Sequence, residues 1–127
     1  MIFNLSAKSQ LKIRDIHPDM QKVVQLAIKK TVVDFTVLEG IRTLERQKEL
    51  LAAGATQTLN SRHLTGHAVD LGAIVGGKIT WQPAVYDKIA NAMLEAAAML
   101  GIPIVWGGSW LTFKDLVHFE LNRKFYP

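Results

Sequence analysis

The chain has 127 residues, 49% of them hydrophobic and 20% charged, which is enough apolar mass for one packed core and too much for a disordered chain. It has no cysteine, so disulfide frameworks, thiolate zinc sites and cysteine nucleophiles are excluded, and any metal has to be held by nitrogen and oxygen. Lys and Arg number 15 against 11 Asp and Glu, a formal charge of +4 that favours anionic polymers; the basic residues are scattered rather than clustered, which singles out none of them, and no nucleic-acid motif is present.

In chain order the pattern predicts a single α+β domain over residues 1–127, without repeats, linkers or low-complexity tracts. Met1-Ile2-Phe3-Asn4-Leu5 lacks a basic region followed by an apolar run, so no signal peptide is expected. No stretch approaches the ~20 apolar residues of a membrane span, so no stable membrane insertion is expected. The first helix is expected to start at Pro18, with Met20, Val23, Val24, Ala27 and Ile28 as its apolar stripe. Phe35–Leu38 reads as a strand ending at Gly40. Leu44–Ala53 reads as a short helix capped by Thr43 and stopped by Gly54, with Arg46 and Lys48 facing water.

Ala68–Ile74 reads as a mostly buried strand, and Lys78–Trp81 as its hairpin partner across the Gly76-Gly77 turn. Pro83–Leu100 is the clearest helix, its inner face formed by Val85, Ile89, Ala92, Met93, Ala96, Ala97 and Leu100, and its end marked by Gly101 and Pro103. Ile104–Trp106 and Val117–Leu121 read as final short strands separated by Gly107-Gly108.

Of the four histidines, His17 precedes the first helix and reads as structural. The segment from Ser61 to Asp70 places His63 in a loop and Asp70 on the strand that follows, with Gly66 allowing a sharp turn and Ala68 leaving space beside the site. Imidazole nitrogen and carboxylate oxygen suit zinc, which in catalytic sites usually takes three protein ligands and keeps one position open. His118 is the natural third ligand. Asp115, three residues earlier, can sit beside the ion without ligating it and exchange a proton with water and with a leaving amine. His67 points away from Asp70 if the strand has begun, whereas Glu120 shares the face of His118 and is a candidate to orient that ring. Trp106 and Trp110 are candidates either for a substrate groove or for core packing.

Ser61, His63, Gly66, Ala68 and Asp70 together resemble the Ser-x-His-x-x-Gly-x-Ala-x-Asp signature of the D-alanyl-D-alanine carboxypeptidase-like zinc peptidases. Asp115-Leu116-Val117-His118 resembles that family's carboxylate-x-x-His element, and Gly40-Ile41-Arg42-Thr43 matches a further element. The stretch from Trp106-Gly107-Gly108-Ser109-Trp110 to His118-Phe119-Glu120-Leu121 is similar to the phage endolysins of the group, departing from their habit at Ser109 and Val117.

The resemblance spans residues 40–121. It implies a small antiparallel sheet packed with helices, as in hedgehog and D-Ala-D-Ala peptidase domains, with the zinc site at the sheet. It also implies zinc ligands at His63, Asp70 and His118, a general base at Asp115, and a carbonyl-steadying role for Arg42. Arg42 itself precedes a helix, where a cation has no structural reward.

The activity implied is hydrolysis of the L-alanyl-D-glutamate bond in the peptidoglycan stem peptide, by a monomer. The enzyme would wait in the host cytoplasm until the membrane is opened and then reach the cell wall. The competing readings are a D-alanyl-D-alanine carboxypeptidase or dipeptidase with the same site, and a non-catalytic cell-wall-binding module.

Overall fold

A computed structural model describes residues 2–56, 58 and 61–127. The elements follow in the order α1 (Ala7–Ile13), α2 (Pro18–Lys30), β1 (Asp34–Glu39), α3 (Leu44–Ala52), a 3₁₀ turn (Arg62–Thr65), β2 (Ala68–Val75), β3 (Lys78–Thr80), α4 (Pro83–Leu100), β4 (Ile104–Trp106), a 3₁₀ turn (Gly107–Ser109) and β5 (His118–Leu121). The expected α+β architecture with a small antiparallel sheet is what the chain adopts.

The two long helices form for the reasons legible in their sequences. Pro18 occupies the first turn of α2, the His17 ring accepts a hydrogen bond from the Asp19 N–H, and Met20, Val23, Val24, Ala27 and Ile28 are fully buried. Pro83 opens α4 and Gly101, at φ +69°, closes it. These two helices pack on each other and join the sheet in one hydrophobic core. Thr43 caps α3 through its hydroxyl, which accepts from the Arg46 N–H.

The helix α1 lies ahead of the expected first helix at Pro18. Ser6 caps it, accepting from the Ser9 N–H at 3.1 Å, but within it only Ser9 and Ile13 are buried, so no apolar stripe advertises it. Its job is polar. Ser9 Oγ accepts from the Val37 N–H at 2.9 Å and Lys12 Nζ donates to Leu38 O at 3.0 Å, which covers the outer edge of β1.

The sheet runs β1-β2-β5-β4, all antiparallel, and β3 pairs with the far end of β2. Side chains alternate faces along a strand. Val69, Leu71 and Ala73 of β2 and Phe119 and Leu121 of β5 therefore enter the core, and Asp70, His118 and Glu120 lie on the other face. A bulge at Leu38 interrupts the β1–β2 ladder, and its side chain lies where a Cβ on Gly72 would be, at 2.9 Å.

Phe119 is fully buried and stacked on Trp106 with ring centroids 6.4 Å apart, directly beneath the polar face. Phe119→Ala is expected to reduce the free energy of unfolding by about 3–5 kcal/mol. Urea denaturation followed by circular dichroism measures it, and a loss below about 1 kcal/mol would mean that the cavity collapses at little cost.

Candidate active site

The polar face of the sheet opens into a cleft of about 640 Å³, lined by His63, Asp70, Asp115 and His118 together with Arg42 and Trp110. Each of these is placed by a local reason.

His63 sits in the 3₁₀ turn that Ser61 caps and that Gly66 ends in the left-handed region at φ +75°. The turn is pinned to the chain before α3. The Arg42 N–H donates to His63 O at 2.9 Å, and His63 Nδ1 lies 2.9 Å from Gly40 O. A carbonyl only accepts, so Nδ1 carries a proton and Nε2 is the nitrogen turned to the cleft. That Nε2 lies 3.0 Å from Asp70 Oδ1. Gly40 is needed for a close approach, because a Cβ there would lie 2.0 Å from Lys12 O of α1.

Asp70 and His118 are direct neighbours across the β2–β5 ladder, and His118 Nδ1 lies 3.2 Å from the same Asp70 Oδ1. The other ring nitrogen of His118 meets Glu120 Oε1 at 2.8 Å, as the shared face of residues two apart allows. Ligand atoms of His63, Asp70 and His118 all lie within 4.8 Å of one another, and this is the group among the described residues able to hold a metal ion. The donor chemistry fits a divalent cation. With Nδ1 of His63 donating to a carbonyl and Nε2 of His118 donating to a carboxylate, two imidazole lone pairs and a carboxylate oxygen converge on one point. Such a point needs a cation or additional protons.

The charges of these groups are strongly coupled. Burial alone would raise the Asp70 pKa, but hydrogen bonds from His118 and His63 and their charges hold it well below the usual carboxylate range. Burial would lower the His118 pKa, but Asp70 and Glu120 on its two sides push it up to about 9. Burial likewise acts to raise the Glu120 pKa, and His118 and Arg123 bring it below the ordinary value.

Asp115 lies on the loop before β5 and is held by the 3₁₀ turn at Gly107. Its N–H donates to Gly107 O at 3.1 Å, and its carbonyl accepts from the His118 N–H at 3.2 Å. A Cβ on Gly107 would meet Asp115 O at 2.3 Å and the His118 Cβ at 3.1 Å, so this glycine lets the loop seat both residues. The Asp115 pKa is raised, first by burial and then by the charge of Asp70, against the lowering effects of His118, His63 and the Val117 N–H.

Arg42 corrects the expectation that a cation ahead of α3 has no structural reward. Its side chain is 9% exposed, and its guanidinium is ion-paired to Glu39, donates to Gln47 Oε1 at 2.7 Å and lies 3.8 Å from Asp70 Oδ2. Gln47 is wholly buried and in turn donates to Thr58 O at 2.6 Å. Sequence reasoning passed over Gln47 and Glu39. Gln47 was detectable only as a polar residue on what would otherwise be the inner side of α3.

Of the two tryptophans, Trp106 packs beneath the sheet and donates to Leu116 O at 2.8 Å, whereas Trp110 lines the cleft with its ring 5.2 Å from that of His118. His67 turns away from the cleft to Thr65 Oγ1 at 2.6 Å and to the ring of His17 at 5.4 Å.

The whole chain, residues 1–127, matches the family described as phage L-alanyl-D-glutamate peptidase. Over 130 aligned residues it is 30% identical to the L-alanyl-D-glutamate peptidase of Escherichia phage T5, covering 99% of this chain and 94% of that protein. Its fold superposes on the crystal structure of the Serratia marcescens L-Ala D-Glu endopeptidase ChiX with a TM-score of 0.92 and 45% identity, over 98% of this chain and 94% of that one. A more distant likeness, to the vancomycin-resistance D,D-dipeptidase VanXYg (TM-score 0.58, 19% identity, 84% of this chain and 50% of that one), shows a shared fold. The sequence motifs, the sheet and the cleft thus agree with the comparisons that the chain belongs to the phage L-alanyl-D-glutamate peptidase family.

Proposed function

We propose that this peptidoglycan peptidase cuts the L-alanyl-D-glutamate bond of the stem peptide with one zinc ion held by His63, Asp70 and His118. Family membership makes it a peptidase of the cell wall and favours this bond over the D-alanyl-D-alanine alternatives. The observation that carries the metal assignment is the convergence of two ring nitrogens on Asp70 Oδ1 inside the cleft.

Zinc supplies Lewis acidity there, bringing the pKa of water to about 7 and polarising a carbonyl. The chain's own residues do the rest. Gly40 and Glu120 fix the outer nitrogens of His63 and His118, so both rings stay oriented. Asp115 takes the proton of the attacking water as its oxygen bonds to the alanyl carbonyl carbon. It then returns that proton to the glutamyl nitrogen as the C–N bond breaks. A carboxyl with a raised pKa in a buried place is suited to hold that proton between the two steps. Arg42, lining the cleft with its charge partly shielded by Glu39 and Asp70, steadies negative charge on the scissile carbonyl oxygen.

All of these groups come from one chain, which supports action as a monomer. No helix among the described residues is long and apolar enough to cross a membrane. By its likeness to the phage peptidases, the reading has the enzyme held in the host cytoplasm until another agent opens the membrane and admits it to the wall.

His63→Ala is expected to abolish bound zinc and muropeptide cleavage together, as read by elemental analysis and mass spectrometry; an active, zinc-loaded variant would remove His63 from the ligand set. Asp115→Asn keeps the shape and loses the basic oxygen. It should fold, retain zinc and turn over about 10²–10⁴-fold more slowly; a variant that loses zinc would make Asp115 a ligand.

A third expectation concerns pH. Because the His118 pKa is raised to about 9 in the metal-free fold, its contribution to stability is complete below its unfolded value near 6.5 and is lost as pH rises through 9. The melting temperature of chelator-treated protein should therefore fall between pH 6.5 and 9, and His118→Gln should flatten that fall.

A further inference from the structure

The cleft is lined by four basic side chains, Arg42, Arg62, Lys114 and Arg123, and by four carboxylates. A divalent ion at the three ligands leaves that balance positive, so the cleft suits an anionic ligand.

The cations differ in what they can still do. Arg42 is held by Glu39 and Gln47 beside Asp70, where it is already assigned to the scissile carbonyl oxygen. Arg62 is nearly buried, and its Nη2 donates to Leu121 O at 3.3 Å and Tyr126 O at 2.6 Å. Lys114 is exposed and offers a point charge on a flexible stem. Arg123 is different from all three. Its side chain is 63% exposed and is anchored only through Nε, 3.4 Å from Glu120 Oε2. Both Nη groups have no hydrogen-bond partner among the described residues. Glu120 meets His118 through its other oxygen, so the free end of the Arg123 fork is tethered one carboxylate away from the ligand set.

A planar fork anchored at Nε and open at both Nη atoms is built to take a second carboxylate in bidentate fashion. A glutamyl residue joined to alanine through its nitrogen has two carboxyl groups. One continues the stem peptide, and the other is a free anion only a few bonds from the scissile nitrogen. We propose that Arg123 is a specificity-determining residue that binds this free glutamyl carboxylate on the leaving side of the bond. It thereby favours stem peptides in which that group is ionised over those in which it is amidated. The inference rests on the assignment of the L-alanyl-D-glutamate bond.

The test compares kcat/KM on two muropeptides identical except that the free glutamyl carboxylate of one is a primary amide. The zinc-loaded enzyme should prefer the acid by about ten- to a hundredfold, the range expected for a charge-assisted pair replaced by a neutral contact. Arg123→Gln should bring the acid-to-amide ratio close to one, and Arg123→Lys should restore part of it. Calorimetric binding of the glutamyl-bearing product fragment to chelator-treated protein should show the same order of preference without any turnover.

A wild-type ratio near one, or a wild-type ratio that survives in Arg123→Gln, overturns the inference; the second result would leave Arg123 only as a brace for Glu120. A wild-type enzyme that cuts neither peptide removes the functional reading itself, and this inference with it.

Discussion

Asp70 is the residue on which two ladders meet. Its backbone pairs with Glu39 of β1 on one side and with His118 of β5 on the other. One oxygen of its carboxylate faces both imidazoles, and the other faces Arg42, which Glu39 also grips. The register of the sheet therefore sets the geometry of the site. A slip of one residue in β5 would send His118 and Glu120 into the core and bring Phe119 into the cleft. The apolar alternation of β5, with Phe119 and Leu121 fully buried, prevents that slip. Hydrophobic packing on one face of the sheet is what holds the proposed metal ligands in place on the other.

The polar face concentrates charge that would be costly to bury without partners. The cost is met in layers. Gly40 O and Glu120 take the outer nitrogens of the histidines, Glu39 and Gln47 take Arg42, and Arg123 steadies Glu120. Asp115 is the exception. It is held through its backbone by Gly107, and among the described residues its carboxyl is engaged by the Val117 N–H, which leaves it free to exchange a proton. Residues that orient are tied at both ends, and the residue assigned to move a proton is tied at one.

Much of this was legible in the sequence because period and punctuation carry it. The stripes of α2 and α4 stand out at helical spacing, bounded by Pro18, Pro83 and Gly101, and the signature from Ser61 to Asp70 contains the first two of the three residues whose ligand atoms converge in the cleft. Even the start of the last strand at Val117 has a counterpart, since Val117 O accepts from the Leu71 N–H one residue before β5. What stayed hidden is held by polar contacts. The helix α1 buries a serine and one isoleucine and attaches through Ser9 and Lys12, so no hydrophobic rhythm reveals it. Arg42 and Gln47 each look like solvated residues until the fold closes around both. Gly107 reads as a spacer between strands, and only its contact with Asp115 shows why a side chain is excluded there.

The hydrogen on the Cα of Gly40 faces the Lys12 carbonyl, and the Gly40 carbonyl faces His63. A helix with no residue in the cleft is thus one layer behind the ring that points into it. The recognisable motifs begin at Gly40, and a fragment cut there would carry every residue to which the proposed chemistry is assigned. It would also lack the wall against which Gly40 rests and the cover on β1. The smallest working unit starts no later than the cap of α1 at Ser6, some distance upstream of the first residue that pattern matching would retain. Trimming or fusing this enzyme by its motifs alone would discard the support behind its site.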